Sequence, residues 1–145
     1  MDSKQKGNLT ELRCLTAFVE LGYTVSIPYG DCSKYDFIVE IDKHLYKIQV
    51  KTSCLKKGTD NAICFSCRST VVNCSGVKRS KYSDTDVDFF ATYWEGKCYI
   101  VPIKECSTEK TLRFAPPKNG QTVGISFAKD YELEKQINLL TEVKD

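Results

Sequence analysis

The stretch that decides the fold is residues 35–53, YDFIVEIDKHLYKIQVKTS. It contains two extended segments, Tyr35–Ile41 and Leu45–Ser53, joined by a short turn. A two-residue turn at Asp42–Lys43 would make the segments an antiparallel hairpin in which the residues flanking the turn pair with each other. Asp-Lys lacks the glycine that such turns favour, and a register shifted by one residue would send every side chain to the other face. The stretch therefore predicts a hairpin whose register depends on that turn.

In this register Asp36 lies directly opposite Gln49, with Cβ atoms about 4.5–5.5 Å apart. Lys51 lies two residues beyond Gln49 and shares its face of the sheet. One face would then carry an acid, an amide and a lysine. The alternative is an ordinary polar outer face, which is common in antiparallel sheets.

These side chains suit a divalent metal held beside a phosphodiester. Magnesium prefers oxygen ligands and keeps several waters, so one or two carboxylates can suffice. Asp36 would be the anchoring ligand, with the amide oxygen of Gln49 and the carbonyl of Val50 as further donors. Lys51 would orient the attacking water or stabilise negative charge on the phosphate.

A first helix is predicted over residues 8–21, with Asn8 as its N-cap. In that helix Glu11 lies in line with Leu15 and Phe18, which should face the core. A carboxylate facing the sheet is costly unless it is paired or serves a cation. The alternative is that Glu11 is the N3 residue of a capping box with Asn8, and spacing alone favours this cap.

The composition is that of an ordinary globular protein, with 145 residues of which 41% are apolar and 28% charged. This length predicts one domain, residues 1–145, with a hydrophobic core. No apolar run approaches the roughly 18–20 residues that span a membrane. The N-terminus, MDSKQKGN, shows no signal-peptide pattern. We therefore expect an intracellular, cytoplasmic protein.

The net charge of +2 neither requires nor excludes a nucleic acid, so the local distribution of charge is more informative. Between residues 56 and 81 there are six positive side chains and one acid, Asp60. Such a segment could contact phosphates, or it could be a solvated surface. The candidate DNA-binding residues are Lys56, Lys57, Arg68, Lys78, Arg79 and Lys81.

The eight cysteines are expected to be free thiols, because the chain is too large to need a disulfide scaffold and shows no export signal. Cys64 and Cys67 form a C-x-x-C, with Cys54 and Cys74 nearby. A structural zinc site requires a second pair of ligands, and His44 is the only histidine. The missing pair argues against zinc.

The rest of the chain predicts a mixed sheet flanked by helices, of the α/β or α+β class. Val87–Trp94 and Lys97–Ile103 should form a second hairpin that turns at Glu95-Gly96. The other expected elements are strands at Tyr23–Ile27, Ala62–Val72 and Leu112–Ala115, a basic loop at Ser75–Thr85, and a final helix capped by Asp130 with Leu133, Ile137 and Leu140 on one face.

The order E-x(n)-D-x(n)-Q-x-K, with the glutamate in a first helix and a short strand before the aspartate, resembles the PD-(D/E)XK nuclease superfamily. The resemblance is carried by KGNLTELRCLTAFVELGYTVSIPYGDCSKYDFIVEI, by YKIQVKTS, and by YSDTDVDFFATYW with YIVPI, so it covers most of the chain. It is closest to the group I intron-associated homing endonucleases, in which glutamine replaces the usual acid before x-K. Tyr35 stands where the superfamily pattern has proline.

The resemblance implies a restriction-endonuclease-like core, with a four-stranded mixed sheet flanked by helices. It also implies cleavage of double-stranded DNA that depends on Mg²⁺, or on Mn²⁺ in its place. By position it makes Glu11 the helix acid, Asp36 the metal acid, Gln49 the metal-side amide and Lys51 the catalytic lysine. Together with the inward direction of Glu11, it favours a role for that residue on a water bound to the metal over a role as a cap.

We therefore expect a homing-type endonuclease that hydrolyses phosphodiester bonds of duplex DNA at a specific sequence. One site per 145-residue chain means that cutting two strands takes at least two copies, so a homodimer or homotetramer is expected. Three alternatives remain open. A Holliday-junction-resolving nuclease and a restriction-type nuclease would share the metal site, whereas a catalytically silent DNA-binding module would keep only the fold.

Overall fold

The structure is a computed structural model that describes residues 1–30, 32–73, 76–83 and 85–142. Within the strands, the side chains of residues 70–73 and 76–81 lie outside what it describes. No helix among the described residues is long and apolar enough to cross a membrane. The elements in chain order are α1 (Ser3–Glu20), β1 (Thr24–Ser26), β2 (Phe37–Ile41), β3 (His44–Val50), β4 (Cys54–Leu55), β5 (Ala62–Ser66), β6 (Arg68–Asn73), β7 (Gly76–Lys81), β8 (Phe89–Trp94), β9 (Lys97–Pro102), a 3₁₀ helix (Ile103–Glu105), β10 (Glu109–Arg113), a second 3₁₀ helix (Ala128–Tyr131) and α2 (Leu133–Glu142).

The central sheet has five strands in the order β1-β2-β3-β8-β9, where the resemblance implied four. Strands β3 and β8 run parallel, and the other neighbours are antiparallel. The predicted mixed sheet is therefore confirmed.

The hairpin of β2 and β3 has the predicted register, in which Ile41 pairs with His44. The turn residues Asp42 and Lys43 have φ values of 52° and 69°. Two positive φ values in succession give the turn a twist that matches the flanking strands, so the tight hairpin forms without glycine. The second predicted hairpin, β8 with β9, also forms and turns at residues 95–96.

Each face of the central sheet has its own core. Both helices pack against one face, and a small sheet of order β10-β5-β4 covers the other. The first core is made by Cys14, Phe18, Phe37, Val39, Ile41, Ile48, Val50, Phe89, Ala91, Cys98, Ile100, Leu133 and Ile137. The second core is made by Ile63, Phe65, Cys67, Phe90, Tyr99, Val101, Leu112, Ala128 and Tyr131.

Helix α1 begins at Ser3, earlier than predicted, because Asp2 is its N-cap. The Asp2 carboxylate accepts from the N–H of Gln5 at 2.8 Å, and the Gln5 side chain accepts from the N–H of Asp2 at 2.9 Å. This reciprocal pair is a capping box. Asn8 lies inside the helix, so the prediction that Asn8 caps it is wrong, and the alternative that Glu11 is its N3 partner is excluded with it.

The middle of the chain differs from the sequence expectation. The predicted strand Ala62–Val72 is two strands, because the chain changes sheets at the buried residue Cys67. Strand β5 pairs with β4 and β10, whereas β6 pairs with β7. The predicted loop Ser75–Thr85 contains β7, and the strand predicted at Leu112–Ala115 lies at Glu109–Arg113.

The final helix has the predicted apolar face, with Leu133 and Ile137 buried and Leu140 packed against the first core. Asp130 does not cap it. Asp130 lies in the 3₁₀ helix that precedes α2, and its carboxylate accepts from Nζ of Lys135 at 2.9 Å.

The cysteines that the structure describes are free thiols, as predicted. Cys64 Sγ lies 3.9 Å from Cys54 Sγ, whereas the Cys67 side chain contacts that of Cys106. The C-x-x-C pair therefore does not converge on one site. Cys74 lies outside the described residues.

Candidate active site

Asp36 lies just before β2, where the pairing of β2 with β3 ends. The last pair of the ladder is Phe37 with Ile48, so Asp36 and Gln49 do not form the ladder pair that the register predicts. The chain bends there, and the N–H of Asp36 donates to the carbonyl of Ile48 at 2.8 Å. The carboxylate instead reaches Val50, whose N–H donates to Asp36 Oδ2 at 2.7 Å. The acid is thus fixed beside the end of β3 by its own side chain.

Gln49 and Lys51 approach from the face of the second core. In the parallel pair of β3 and β8, Gln49 lies beside Phe90, a fully buried member of that core. Lys51 follows with its N–H donated to the carbonyl of Ala91 at 2.8 Å. Its ammonium lies over the ring of Tyr82, which packs on Phe90. The amide and the lysine share one face, as predicted.

The ammonium of Lys51 is held by the backbone and by a ring. Nζ donates to the carbonyl of Arg68 at 2.8 Å and lies 5.1 Å from the centre of the Tyr82 ring. Burial lowers the pKa of Lys51, and the negative charge of Asp36 opposes that shift. Lys51 is therefore a partly desolvated cation within electrostatic reach of Asp36.

Glu11 approaches the same acid from helix α1. It is half-buried, on the side of the helix that buries Phe18. Burial raises the pKa of Glu11, and the charge of Asp36 raises it further. Burial also raises the pKa of Asp36, although a backbone N–H and Lys51 lower it. Two neighbouring acids whose charged forms are both disfavoured make a site at which a cation would be stabilised.

The donors at this site fit a hard divalent cation. Two carboxylates, of Glu11 and Asp36, act on each other electrostatically. The Gln49 amide lies next to the Val50 carbonyl, with Nε2 3.5 Å from that oxygen. Among the residues that the structure describes, there is no group of three or more His, Cys, Asp or Glu that could hold a metal ion. Oxygen donors few enough to leave room for waters are the set that magnesium accepts.

The candidate DNA-binding residues fall in two places. Lys56 follows β4, where its Nζ lies 2.5 Å from Oε1 of Glu109, and the neighbouring Lys57 is exposed. Arg68 begins β6, and its Nε is buried without a hydrogen-bond partner among the described atoms. The other three lie in β7 with side chains outside the described part of the chain: Lys78, Arg79 and Lys81.

Sequence reasoning missed Tyr82, which it placed in a loop. The ring reaches Lys51 because the chain returns from β7 to the second core. An aromatic residue directly after a basic run could have drawn attention to the position, but no spacing rule connects it with a lysine 31 residues earlier.

Comparison with known proteins identifies both the fold and the family. The solved structure of the bacterial homing endonuclease I-Ssp6803I is similar, with a TM-score of 0.78 and 24% identity over 99% of this chain and 97% of that chain. At this identity the likeness shows a shared fold, and it confirms the predicted restriction-endonuclease-like core. No curated protein sequence matches the chain. A family model described as PD-(D/E)XK endonuclease matches residues 1–134, and the chain therefore belongs to the PD-(D/E)XK endonuclease family.

Proposed function

We propose that this endonuclease is Mg²⁺-dependent and cuts double-stranded DNA at a defined sequence, as a homing endonuclease does. The observation that carries the proposal is the position of the Asp36 carboxylate. The N–H of Val50 holds it at 2.7 Å, and its charge acts on both Glu11 and Lys51. The homing type is supported by Gln49 two residues before Lys51 and by the fold shared with a bacterial homing endonuclease.

Each residue of the site has a separate role in this proposal. A bound Mg²⁺ would polarise the phosphate and lower the pKa of an attacking water. Asp36 and Glu11 would hold the cation through carboxylate oxygens, with the Gln49 amide and the Val50 carbonyl as neutral donors. Lys51 would donate hydrogen bonds to a phosphate oxygen on which negative charge grows in the transition state. Partial burial strengthens that interaction because less water screens it.

DNA would be held largely by the ribbon of β6 and β7. The bond from Lys51 to the Arg68 carbonyl attaches the first residue of β6 to the site. A two-stranded ribbon fits the major groove of B-form DNA. Positive side chains on it would give affinity through phosphates rather than sequence discrimination. The candidates on this ribbon are Arg68, Lys78, Arg79 and Lys81.

Cutting both strands would take two or more copies of the chain, since each copy carries one such site. Closed symmetric assembly is the common way to bring identical sites together. Sedimentation of the protein on its DNA should therefore show a dimer or a tetramer. A single copy bound to a duplex that is cut on both strands would contradict the homo-oligomer.

A selection from random duplexes tests the proposed activity. The protein is incubated with Mg²⁺ and a pool of duplex DNA that is randomised over a central segment, and the released ends are sequenced. We expect a recurring sequence, the selected duplex, that is cut on both strands. Cleavage only of four-way junctions would indicate a junction-resolving nuclease. Binding without cleavage in Mg²⁺ or Mn²⁺ would indicate a silent DNA-binding module.

Gln49→Glu is expected to keep part of the cleavage activity, whereas Gln49→Ala should lose at least about tenfold. Glutamate keeps the oxygen in place but adds a third acid beside Asp36, so the dependence on metal concentration should change. Single-turnover rates on the selected duplex, measured across Mg²⁺ and Mn²⁺ concentrations, decide the role of the amide. Equal rates for the wild-type protein and both variants would remove Gln49 from the site.

Glu11→Gln is expected to cut DNA at least about tenfold more slowly without loss of stability. The folded state raises the pKa of Glu11, so the protonated form is favoured and stability falls as the pH rises past the ordinary value of 4.5. Above the raised pKa that cost is fully present, and a neutral glutamine removes it. Thermal melting and a nicking assay on the selected duplex measure the two effects.

The matched control for Glu11 is Gln5→Ala, which breaks the observed capping box. It should lower stability by at most about 1 kcal/mol, because the Asp2 carboxylate still accepts the Gln5 N–H, and it should leave the rate of the folded enzyme unchanged. Full activity of Glu11→Gln would show that this carboxylate does not serve the metal.

A further inference from the structure

The two groups in direct contact with the Lys51 ammonium carry no formal charge, and Asp36 acts on it through the electrostatic field. Lys51 Nζ donates to the Arg68 carbonyl at 2.8 Å and lies 5.1 Å from the Tyr82 ring centre. A carbonyl dipole and a ring face both favour the ammonium form, yet neither carries a negative charge that would pair with it. The cation therefore stays available to a phosphate.

The Tyr82 ring is itself fixed from two sides. It meets Phe90 edge to face, with ring centres 5.3 Å apart and planes at 85°, and Phe90 is fully buried. The Tyr82 hydroxyl shares a hydrogen bond with the side chain of Ser69, the second residue of β6. The ring thus connects the sheet beneath Gln49 with the ribbon proposed to hold DNA.

A group that restrains the Lys51 ammonium would offset two physical costs, the flexibility of the lysine side chain and its partial burial. The lysine side chain has four rotatable bonds, and an unrestrained ammonium would sample many positions and prefer water. Burial already works against its charge, as the lowered pKa of Lys51 shows. A ring face within about 6 Å offsets part of that cost and limits where Nζ can lie.

We propose that Tyr82 is a positioning residue for cleavage, whose ring holds the Lys51 ammonium at the site while the Arg68 carbonyl binds it. The proposal rests on the proposed role of Lys51 in phosphodiester hydrolysis. Tyr82 makes no contact with DNA in this scheme, and it acts through Lys51. Because Tyr82 joins β6 through Ser69, movement of the ribbon on DNA would be transmitted to the lysine.

The structure supplies a matched control on the opposite face of the sheet. Tyr46 meets Phe89 edge to face, with ring centres 5.8 Å apart and planes at 68°. Phe89 and Phe90 are consecutive residues of β8, and Tyr46 packs against the first core, on the face of the sheet opposite the one that Lys51 shares with Phe90. Tyr46→Leu and Tyr82→Leu therefore each remove an edge-to-face contact with a phenylalanine of β8, but only the second removes the ring that contacts the Lys51 ammonium.

The test compares single-turnover cleavage of the selected duplex with binding of that duplex in the absence of metal. Tyr82→Leu should cut about tenfold more slowly with unchanged binding, and Tyr82→Phe should retain most of the rate because it keeps the ring face. Tyr46→Leu should cut at the wild-type rate. Equal rates for Tyr82→Leu and Tyr46→Leu would overturn the proposal, as would an equal loss in Tyr82→Phe and Tyr82→Leu.

Thermal stability, which can be measured without DNA cleavage, allows this inference to be tested separately from the proposed function. Melting of the wild-type protein, Tyr82→Leu, Lys51→Met and the double variant forms a double-mutant cycle. The effect of Tyr82→Leu should be smaller when Lys51 is already replaced, and strict additivity would overturn the inference even if no DNA is cut. Wild-type cleavage by Lys51→Met would instead refute the catalytic role of the lysine. If Tyr82→Leu does not fold, Tyr82→Met provides the same comparison with a flexible apolar side chain.

Discussion

Asp36→Asn should abolish cleavage while the protein folds and binds DNA normally. Asparagine keeps an oxygen that can accept the Val50 N–H, which donates to Asp36 Oδ2 at 2.7 Å. What it loses is the negative charge that, in the proposed site, would anchor the cation. Metal stabilisation of a phosphoryl transition state amounts to several kcal/mol, so the rate should fall by about a thousandfold or more. Single-turnover cleavage of the selected duplex measures the rate, and a gel shift without metal measures the binding.

Stability should not fall in this variant. Burial raises the pKa of Asp36 above its ordinary value of 3.8, so the folded state favours the protonated acid. The charged form therefore costs stability at every pH above the raised pKa, and a neutral side chain removes that cost at pH 7. Asp36→Ala should instead destabilise the protein by about 1–3 kcal/mol, because it leaves the Val50 N–H without its acceptor.

The control for Asp36 is another aspartate whose carboxylate also accepts a backbone N–H from β3. Asp88 Oδ2 accepts the N–H of Lys47 at 2.8 Å. Asp88→Asn alters that carboxylate in the same way, and cleavage should continue at the wild-type rate. If Asp36→Asn also cuts within about tenfold of wild type, Asp36 is a structural acceptor rather than a metal ligand.

The position of Asp36 also shows how far sequence reasoning reaches. The hairpin register follows from local spacing around a two-residue turn, and the structure confirms it down to the pair of Phe37 with Ile48. The bend at Asp36 does not follow from spacing, because it depends on the hydrogen bond between its carboxylate and Val50. The position of Asp36 beside the end of β3 was therefore predictable, whereas the geometry that fixes its carboxylate was not.

The start of α1 was mispredicted because two capping boxes fit the same sequence. Asn8 with Glu11 and Asp2 with Gln5 have the same spacing, and the second pair is the one that forms. Because Asp2 and Gln5 form the capping box, the competing interpretation of Glu11 as a capping residue is excluded. Local patterns alone could not rank the two boxes, because both satisfy the same backbone donors.

The strand pairings in the middle of the chain could not be predicted, for a different reason. Strand β5 pairs with β10 through contacts such as Ala62 with Arg113, far apart in the sequence. Such pairings are selected by packing over the whole sheet, and nothing in the flanking residues encodes them. The contact between Lys51 and the Tyr82 ring also joins residues far apart in the sequence, so spacing could not identify Tyr82.

Lys51→Met should reduce cleavage by about a hundredfold to a thousandfold, a loss typical for removal of a group that stabilises transition-state charge. Methionine keeps an unbranched apolar side chain of similar length, so the packing around Tyr82 should be largely preserved. The loss should appear in the single-turnover rate, with binding of the selected duplex in the absence of metal changed little.

Melting should show that this loss is catalytic. Burial lowers the pKa of Lys51 below its ordinary value of 10.5, so its charge costs stability at neutral pH, and the cost declines as the pH rises towards that value. Methionine removes the cost but also leaves the Arg68 carbonyl without its donor, a loss of about 1 kcal/mol. The two effects oppose each other, so the melting temperature at pH 7 should change little.

The control for Lys51 lies four residues earlier on the same face of β3. Lys47 also donates from Nζ to a backbone carbonyl, that of Thr85, whereas Lys51 donates to that of Arg68 and its charge acts on Asp36. Lys47→Met removes one positive charge and one carbonyl bond, as Lys51→Met does, yet it should leave cleavage intact. Equal rates for the two variants would mean that a general loss of charge, and not the placement of Lys51 beside Asp36, accounts for any change. A large difference between them would assign the effect to Lys51, whose ammonium lies within electrostatic reach of Asp36.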